Sequence, residues 1–559
     1  MTSCTSTIRA PLIAMVTAAV MLASAVPVAA YTPPTSDAAA WLFQPNTIVT
    51  VDLQLPSSSI DSLNANGSVY APGTFTMRHG RKRYGPWAVD VRLKGRWGSA
   101  RGLDGKAAFK LRFPNASQRV SGLKKLTLNN MVQDPSYITE TISYELFRAM
   151  GVPAPRTGYA VVKVNGADYG LHLNVETPDK LMFSKWFPGE ETKHLYEGSY
   201  GCCYDWRNPD DSNHYDVDEG DPADRSDLAA LLATLNLEGE AWRQAAEPIV
   251  DLRTLAAMWA VELYIGHWDG YAWTVNNYYI HNTESGRITM HPWGLDQTLG
   301  SNGWWLPYSG PGSGNLLDKC LTDVVCAEYF NEAVIATRDV AVALALDVKA
   351  ATVYNSIRSL IVADSRREFD VETADWYRDA TVNFLRARPA SVDDWYPPIA
   401  APENLAVSAG LVSALVSWEA PELDDGVQLR GFLVEHRNVR SQTWTPVQVL
   451  DPEAISARVS SLRAGRYEFR VSTISSRGRS GATAPVSGEL RINVTTFASC
   501  EAMHAVYDLR AGVSRTSRPR NSGPTSYGVP LASSSLYRSN QGLDADRDGI
   551  ACEATSPLP

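Results

Sequence analysis

In the stretch HWDGYAWTVNNYYIHN, Asp269 stands seven residues before Asn276 and eight before Asn277, and a second acid, Asp296, follows in RITMHPWGLDQTLG. A carboxylate, an amide and another carboxylate converging on one spot match the needs of phosphoryl transfer. One carboxylate orients the acceptor hydroxyl, the amide oxygen and the second carboxylate hold a divalent metal, and a lysine steadies the nucleotide phosphates. Magnesium takes few protein oxygens beside those of phosphate, so one Asp and one Asn suffice. The plainer reading makes Asp269 a cap on a helix-to-strand turn and lets Asn277 satisfy backbone groups at a hairpin start.

A second acidic constellation closes the chain. LDADRDGIACE sets Asp544, Asp546 and Asp548 at alternate positions before Gly549, with Glu553 five residues beyond Asp548. A tight loop of this kind aims several carboxylate oxygens at one point, which suits calcium with its six to eight oxygen ligands. The competing reading is an acidic turn that holds no ion. Cys552 can pin the loop.

The elements that position these residues follow from periodicity. Asp251 to Tyr264 carries Leu252, Leu255, Met258, Trp259 and Leu263 at helical spacing and stops at Gly266, which leaves Asp269 on a loop. A strand is expected from Asn276 to Ile280, then a turn over Asn282 to Gly286 and a second strand that delivers Asp296. Upstream, Val49, Val51, Leu53 and Leu55 alternate, as do Trp87, Val89, Val91 and Leu93, then Phe109, Leu111 and Phe113. Lys106, Lys110 and Arg112 share the face opposite that last set. They form either a solvated sheet face or a cationic wall for phosphates. DPSYITETISYELFRAMG predicts a helix with Asp134 as N-cap, Pro135 at its first position and Gly151 past its end. Glu145 falls on its buried side, to snorkel or to meet a lysine. Asn165-Gly166 predicts a hairpin between Tyr159–Val164 and Gly170–Val175, with Glu176 at its end. Strands first and helices later indicate an α+β, two-lobed unit over residues 38–396.

Composition narrows the setting. Residues 1–30 form a signal peptide: Arg9 precedes an apolar run from Leu12 to Val26 and small residues before Tyr31. No other stretch is long and apolar enough for a membrane span, so an exported, soluble monomer is expected. Net charge of −10 argues against a nucleic-acid partner, and the basic run Arg78 to Arg83 is expected to be a solvated turn. Of seven cysteines, Cys4 leaves with the leader; Cys500/Cys552 and Cys320/Cys326 are expected disulfides, whereas Cys202 and Cys203 have no evident partners.

Residues 399–494 show short alternating strands, ALVSW at Ala414–Trp418 and YEFRV at Tyr467–Val471 among them, which indicate an all-β sandwich. They resemble a fibronectin type III domain, with Trp418, Leu462 and Tyr467 at that family's core positions. Residues 497–555 resemble an Excalibur extracellular calcium-binding domain through the acidic run ending in Cys-Glu.

Four stretches in order, LKGRWGSARGLDGKAAFKLRF, LTLNNMVQDPSYITETISYELFRAMGVPAP, VKVNGADYGLHLNVETPDK and HWDGYAWTVNNYYIHNTESGRITMHPWGLDQTLG, resemble the CotH kinase-like family. The resemblance implies an atypical protein-kinase fold that phosphorylates Ser or Thr of secreted or cell-surface proteins, using ATP with Mg2+ or Mn2+. It assigns Asp269 as catalytic acid, Asn277 and Asp296 as metal ligands, Lys110 or Lys106 on the phosphates, and Glu176 at the family's acidic hairpin end. This sequence departs from the family at His267, where Asn is common, at Gly294, where an acid is common, and at Thr139, where Arg is common. The alternative is therefore a catalytically weak or inactive surface adhesion protein built on the same scaffold. A carbohydrate-active enzyme is the third reading.

Overall fold

The computed structural model describes residues 37–553 except 199–203, 301–313, 396–398, 411–412, 425–426, 450, 461, 476–477, 491–493, 508–510 and 518–529. The expected leader at 1–30 and the adjacent Cys202 and Cys203 lie outside the described residues.

Alternating apolar residues build the first unit. Strands β1 (Ile48–Gln54), β2 (Ala71–His79), β3 (Lys82–Lys94), β4 (Ala108–Arg112), β5 (Lys125–Asn129), β6 (Thr157–Val164) and β7 (Ala167–Val175) close into a barrel in the order β1-β2-β3-β4-β5-β7-β6. Closure comes from the parallel pairing of β1 with β6, so no edge is left in the ring. Val49, Val51, Leu53, Val91, Phe109 and Leu111 lie in one core. The β6–β7 turn is Asn165-Gly166, with φ of 50° and 80°, as the two-residue hairpin signal demands. Helix α1 (Ser57–Ala65) packs on β2.

Helix α2 (Thr139–Ala149) crosses from the barrel to the second unit. It starts later than the sequence indicates, because Tyr137 adopts φ 61° and interposes a turn. Asp134 still serves the helix end, its carboxylate accepting from the backbone N–H groups of Ser136 and Thr139, each at 2.9 Å. Glu145 meets Lys349 at the boundary.

The second unit combines α3 (Lys180–Trp186), β8 (Thr192–Gly198), β9 (Tyr215–Glu219), α4 (Ser226–Thr234), α5 (Gly239–Ala246), α6 (Leu252–Ile265), α7 (Tyr271–Thr274), β10 (Tyr278–Thr283), β11 (Thr289–Pro292), α8 (Asn315–Thr322), α9 (Val324–Ala343), α10 (Leu346–Ala363) and α11 (Val371–Trp395). The sheet order is β11-β10-β8-β9. Helix α6 is buried nearly all round and packs on α9; Asp251 caps its start, and Arg388 of α11 donates to the carbonyls of Leu263 and Tyr264 at its end. Cys320–Cys326 staples α8 to α9. Among the described residues no single helix is long and apolar enough to cross a membrane.

Beyond lies a β-sandwich whose two sheets are β12 (Glu403–Ala409), β13 (Ala414–Glu419) and β16 (Ser456–Val459) against β14 (Leu429–Asn438), β15 (Thr445–Val449), β17 (Gly465–Ser475), β18 (Gly478–Arg479) and β19 (Val486–Leu490). Trp418 and Leu462 are buried in its core, with Tyr467 packed at the margin. A small C-terminal unit follows, closed by Cys500–Cys552.

Candidate functional site

Asp269 leaves the end of α6 on a loop tightened by α7, and three donors hold its carboxylate. Asn276 Nδ2 (3.0 Å) and Thr274 Oγ1 (3.2 Å) donate to Oδ1, and Asn277 Nδ2 (2.7 Å) donates to Oδ2. The asparagine pair is thus a clamp on the acid seven and eight residues behind it. Neither asparagine is in the strand, which begins only at Tyr278; Asn277 sits at φ 48° and turns the chain into it. Burial raises the Asp269 pKa against the pull of these three hydrogen bonds. The Asn277 amide oxygen accepts no hydrogen bond among the described residues, and its backbone oxygen accepts from Trp293 N at 3.0 Å.

Asp296 is not on the second strand, which ends at Pro292, but in a helical turn over Leu295–Gln297. Asp269 and Lys94 lie close enough to influence its ionisation. Thr139 Oγ1 stands 2.7 Å from Asp134 Oδ2 and 3.2 Å from the backbone oxygen of Asp296, so the start of α2 is tied to this turn. Gly294 adopts φ 61°, and a Cβ there would come within 2.8 Å of the Asn277 amide. An acidic side chain at this position would displace the asparagine.

The cation of the site is Lys94, at the end of β3. Burial lowers its pKa, while Glu140, Asp296 and Glu197 act to raise it. Its ammonium also lies 5.1 Å from the centre of the Trp293 ring. Glu140, at the start of α2, receives a hydrogen bond from Asn129 Nδ2 at 2.8 Å. Glu140 and Asp296 both titrate high: burial is the largest cause, Asp296 adds to it at Glu140, and Lys94 opposes it at both. Two buried carboxyls beside one cation leave room for further positive charge, and a divalent ion would favour both in ionised form. The Asn277 amide oxygen is a further oxygen of the kind such an ion takes.

The two expected phosphate lysines differ in their surroundings. Lys106 is buried in an ion pair with Asp364 of the α10 terminus at 2.6 Å, where it locks β4 to the helical unit. Lys110 shares the face of Lys94, one ladder step away opposite Arg92, and looks toward Glu197 and Asp218. Glu176 sits in a buried network of its own, where Arg156 (2.6 Å) and Lys185 (2.7 Å) bind it and Arg156 also pairs with Asp37. Lys94 and Glu140 escaped sequence reasoning. Lys94 ends a strand before Gly95, and Glu140 occupies the face of α2 away from Glu145. The only local signal was Lys94 in register with the strand face that carries Lys110.

In the terminal loop, ligand atoms of Asp544, Asp546 and Asp548 lie within 4.8 Å of one another. Asp544 Oδ2 accepts from Tyr537 and from Gly549 N, while its Oδ1 is buried without a partner among the described residues. Burial raises the Glu553 pKa, with Asp548, Asp546 and Asp544 adding to it, and Glu553 Oε2 is likewise buried and unpartnered.

Residues 91–391 match the CotH kinase protein family. The chain belongs to that family. Residues 400–489 match the fibronectin type III domain, in agreement with the sandwich. The CotH relatives include the inner spore coat protein H of Bacillus subtilis (strain 168), 21% identical over 314 residues, covering 49% of this chain and 78% of that protein. The uncharacterized protein YhjA of the same organism is 37% identical over 65 residues, covering 12% of this chain and 71% of its own length. Among solved structures, one described as a myokine structure covers 17% of this chain and 99% of its own, at 26% identity and a TM-score of 0.16. CotH membership and the mixed helix-and-sheet unit suggest a kinase-like enzyme, with ATP and a divalent metal as its cofactors.

Proposed function

We propose that this CotH protein is an exported phosphotransferase that moves the γ-phosphoryl group of ATP to Ser or Thr hydroxyls of secreted or cell-surface proteins. The observation that supports it is the meeting of Lys94, Glu140, Asp269 and Asp296 from separate elements in one electrostatic cluster. Asp269, clamped by three donors, orients the acceptor hydroxyl and takes its proton. Lys94 binds the nucleotide phosphates and Glu140 positions it. Asn277 and Asp296 would hold Mg2+ or Mn2+, which when bound neutralises charge on the phosphates. In the C-terminal unit, an Excalibur-like module, Asp544, Asp546, Asp548 and Glu553 hold Ca2+ and brace the loop that Cys552 anchors.

The test is transfer of labelled γ-phosphate from ATP to the protein itself or to a Ser-rich acceptor, with manganese or magnesium present. Asp296→Ala should lose on the order of a hundredfold in rate, the size expected when one preorganised charge is removed from a transition state. Equal labelling by both proteins would remove the assignment. The second reading, an inactive adhesion scaffold, is favoured by Gly294, which leaves the site without the acid common at that position in the family. It requires that ATP with magnesium leave the melting temperature unmoved.

A further inference from the structure

The hairpin between β2 and β3 carries Arg78, Arg81, Lys82 and Arg83 in a chain of net charge −10. Gly80, at φ 56°, makes the turn, and the register sets Arg78 directly opposite Arg83 and His79 opposite Lys82. Like charges facing each other across a ladder destabilise it. None of the four cations closes an ion pair among the described residues. A solvated turn accounts for the charge but not for the aromatic surface beside it. On the face shared by His79, Lys82 and Tyr84, the Trp41 ring lies parallel to His79 (4.9 Å between centres, 20°) and to Tyr84 (5.8 Å, 13°). Its indole N–H donates to Ser121 Oγ at 3.1 Å, which fixes its plane. All three rings are half-buried, and with Arg81 and Lys82 they line a cavity of about 400 Å3.

A rigid aromatic surface rimmed by cations suits a ring that has an apolar face and carries an anion. We propose that this hairpin binds an acidic polysaccharide. A sugar ring enters the cavity against the parts of the Trp41–His79–Tyr84 stack left open to it, and its carboxylate accepts hydrogen bonds from Arg81 and Lys82. Arg78 and Arg83, on the opposite face of the hairpin, meet neighbouring charges of the polymer. Single-stranded nucleic acid also combines stacking with charge. The disulfides Cys320–Cys326 and Cys500–Cys552 suit an oxidising compartment outside the cytosol, away from the cell's own nucleic acid, which favours the polysaccharide.

Calorimetric titration of the full-length protein with oligogalacturonate, neutral dextran and oligo(dT) tests this. Oligogalacturonate should bind and dextran should not. Arg81→Ser/Lys82→Ser, on exposed positions, should weaken binding about tenfold or more with the melting temperature unchanged, since each charged hydrogen bond contributes substantially. Trp41→Ala should abolish binding; because that ring also packs, the double variant decides if Trp41→Ala fails to fold. Equal affinity for dextran and oligogalacturonate, no effect of the double variant, or tighter binding of oligo(dT) at the same residues would each overturn the proposal.

Discussion

Glu262 offers a sharp test of how the loop of Asp269 is held. It is 1% exposed, and its carboxyl accepts from Tyr271 N at 3.2 Å and Ala272 N at 2.8 Å, so it supports the start of α7 and with it the loop of Asp269. Burial pushes its pKa from 4.5 up to about 8, against the pull of those two amides. At ~1.4 kcal/mol per unit, that gap is worth roughly 5 kcal/mol. The folded-state value is raised, so this stability is fully present below about pH 4.5 and is lost as the pH rises through about 8. Glu262→Gln stays neutral throughout. Its amide offers only one acceptor, so it should cost a constant ~1–3 kcal/mol. Wild type should therefore resist urea better at pH 5 and the variant better at pH 8.5. Fourteen of the sixteen tryptophans fall within residues 38–396, so unfolding followed by tryptophan fluorescence reports this unit. A difference between the two proteins that stays constant from pH 5 to pH 9 would refute the reasoning.

Lys94→Met should lower phosphate transfer by ~100- to 1,000-fold while leaving circular dichroism unchanged. Lys106→Met should do the reverse, costing ~3–5 kcal/mol in urea melts by stranding Asp364, with the KM for ATP unmoved in the folded fraction. Glu176→Gln should behave like Lys106→Met, because it breaks the buried pairs with Arg156 and Lys185; a raised KM instead would return Glu176 to the nucleotide. Calcium at about a hundred times its Kd should stabilise the C-terminal unit by ~2.7 kcal/mol, and Asp544→Asn should cancel the shift seen by calorimetry.

Elements with a strong local signal were legible in the sequence. Helix α6 is bounded by Asp251 and Gly266 as its periodicity and caps indicate, and the β6–β7 hairpin turns at Asn165-Gly166. What periodicity could not supply was which polar residue of a face reaches the site. Lys94, Arg92 and Lys110 share one side of the β3–β4 ladder, and sequence has no measure of where along that side α2 crosses. Lys106 precedes β4 and turns to Asp364, a partner 258 residues away, which no local pattern encodes. The same limit applies to Glu140, whose position follows from a helix that begins at Thr139 and not at Pro135.

The departures from the family pattern acquire physical meaning only in three dimensions. Thr139 is not an empty replacement for arginine, because its hydroxyl lies between Asp134 and the backbone of Asp296 and joins α2 to the Leu295–Gln297 turn. Gly294 is coupled to Asn277 in the same sense: its left-handed backbone and missing Cβ leave the space that the amide fills. An acid restored at 294 would therefore not enter without moving the asparagine. Its Cβ alone would crowd the Asn277 amide that donates the 2.7 Å hydrogen bond to Asp269, so the asparagine would have to shift. Gly294 therefore belongs with Asp269 and Asn277 by the room it leaves for the amide that clamps the acid.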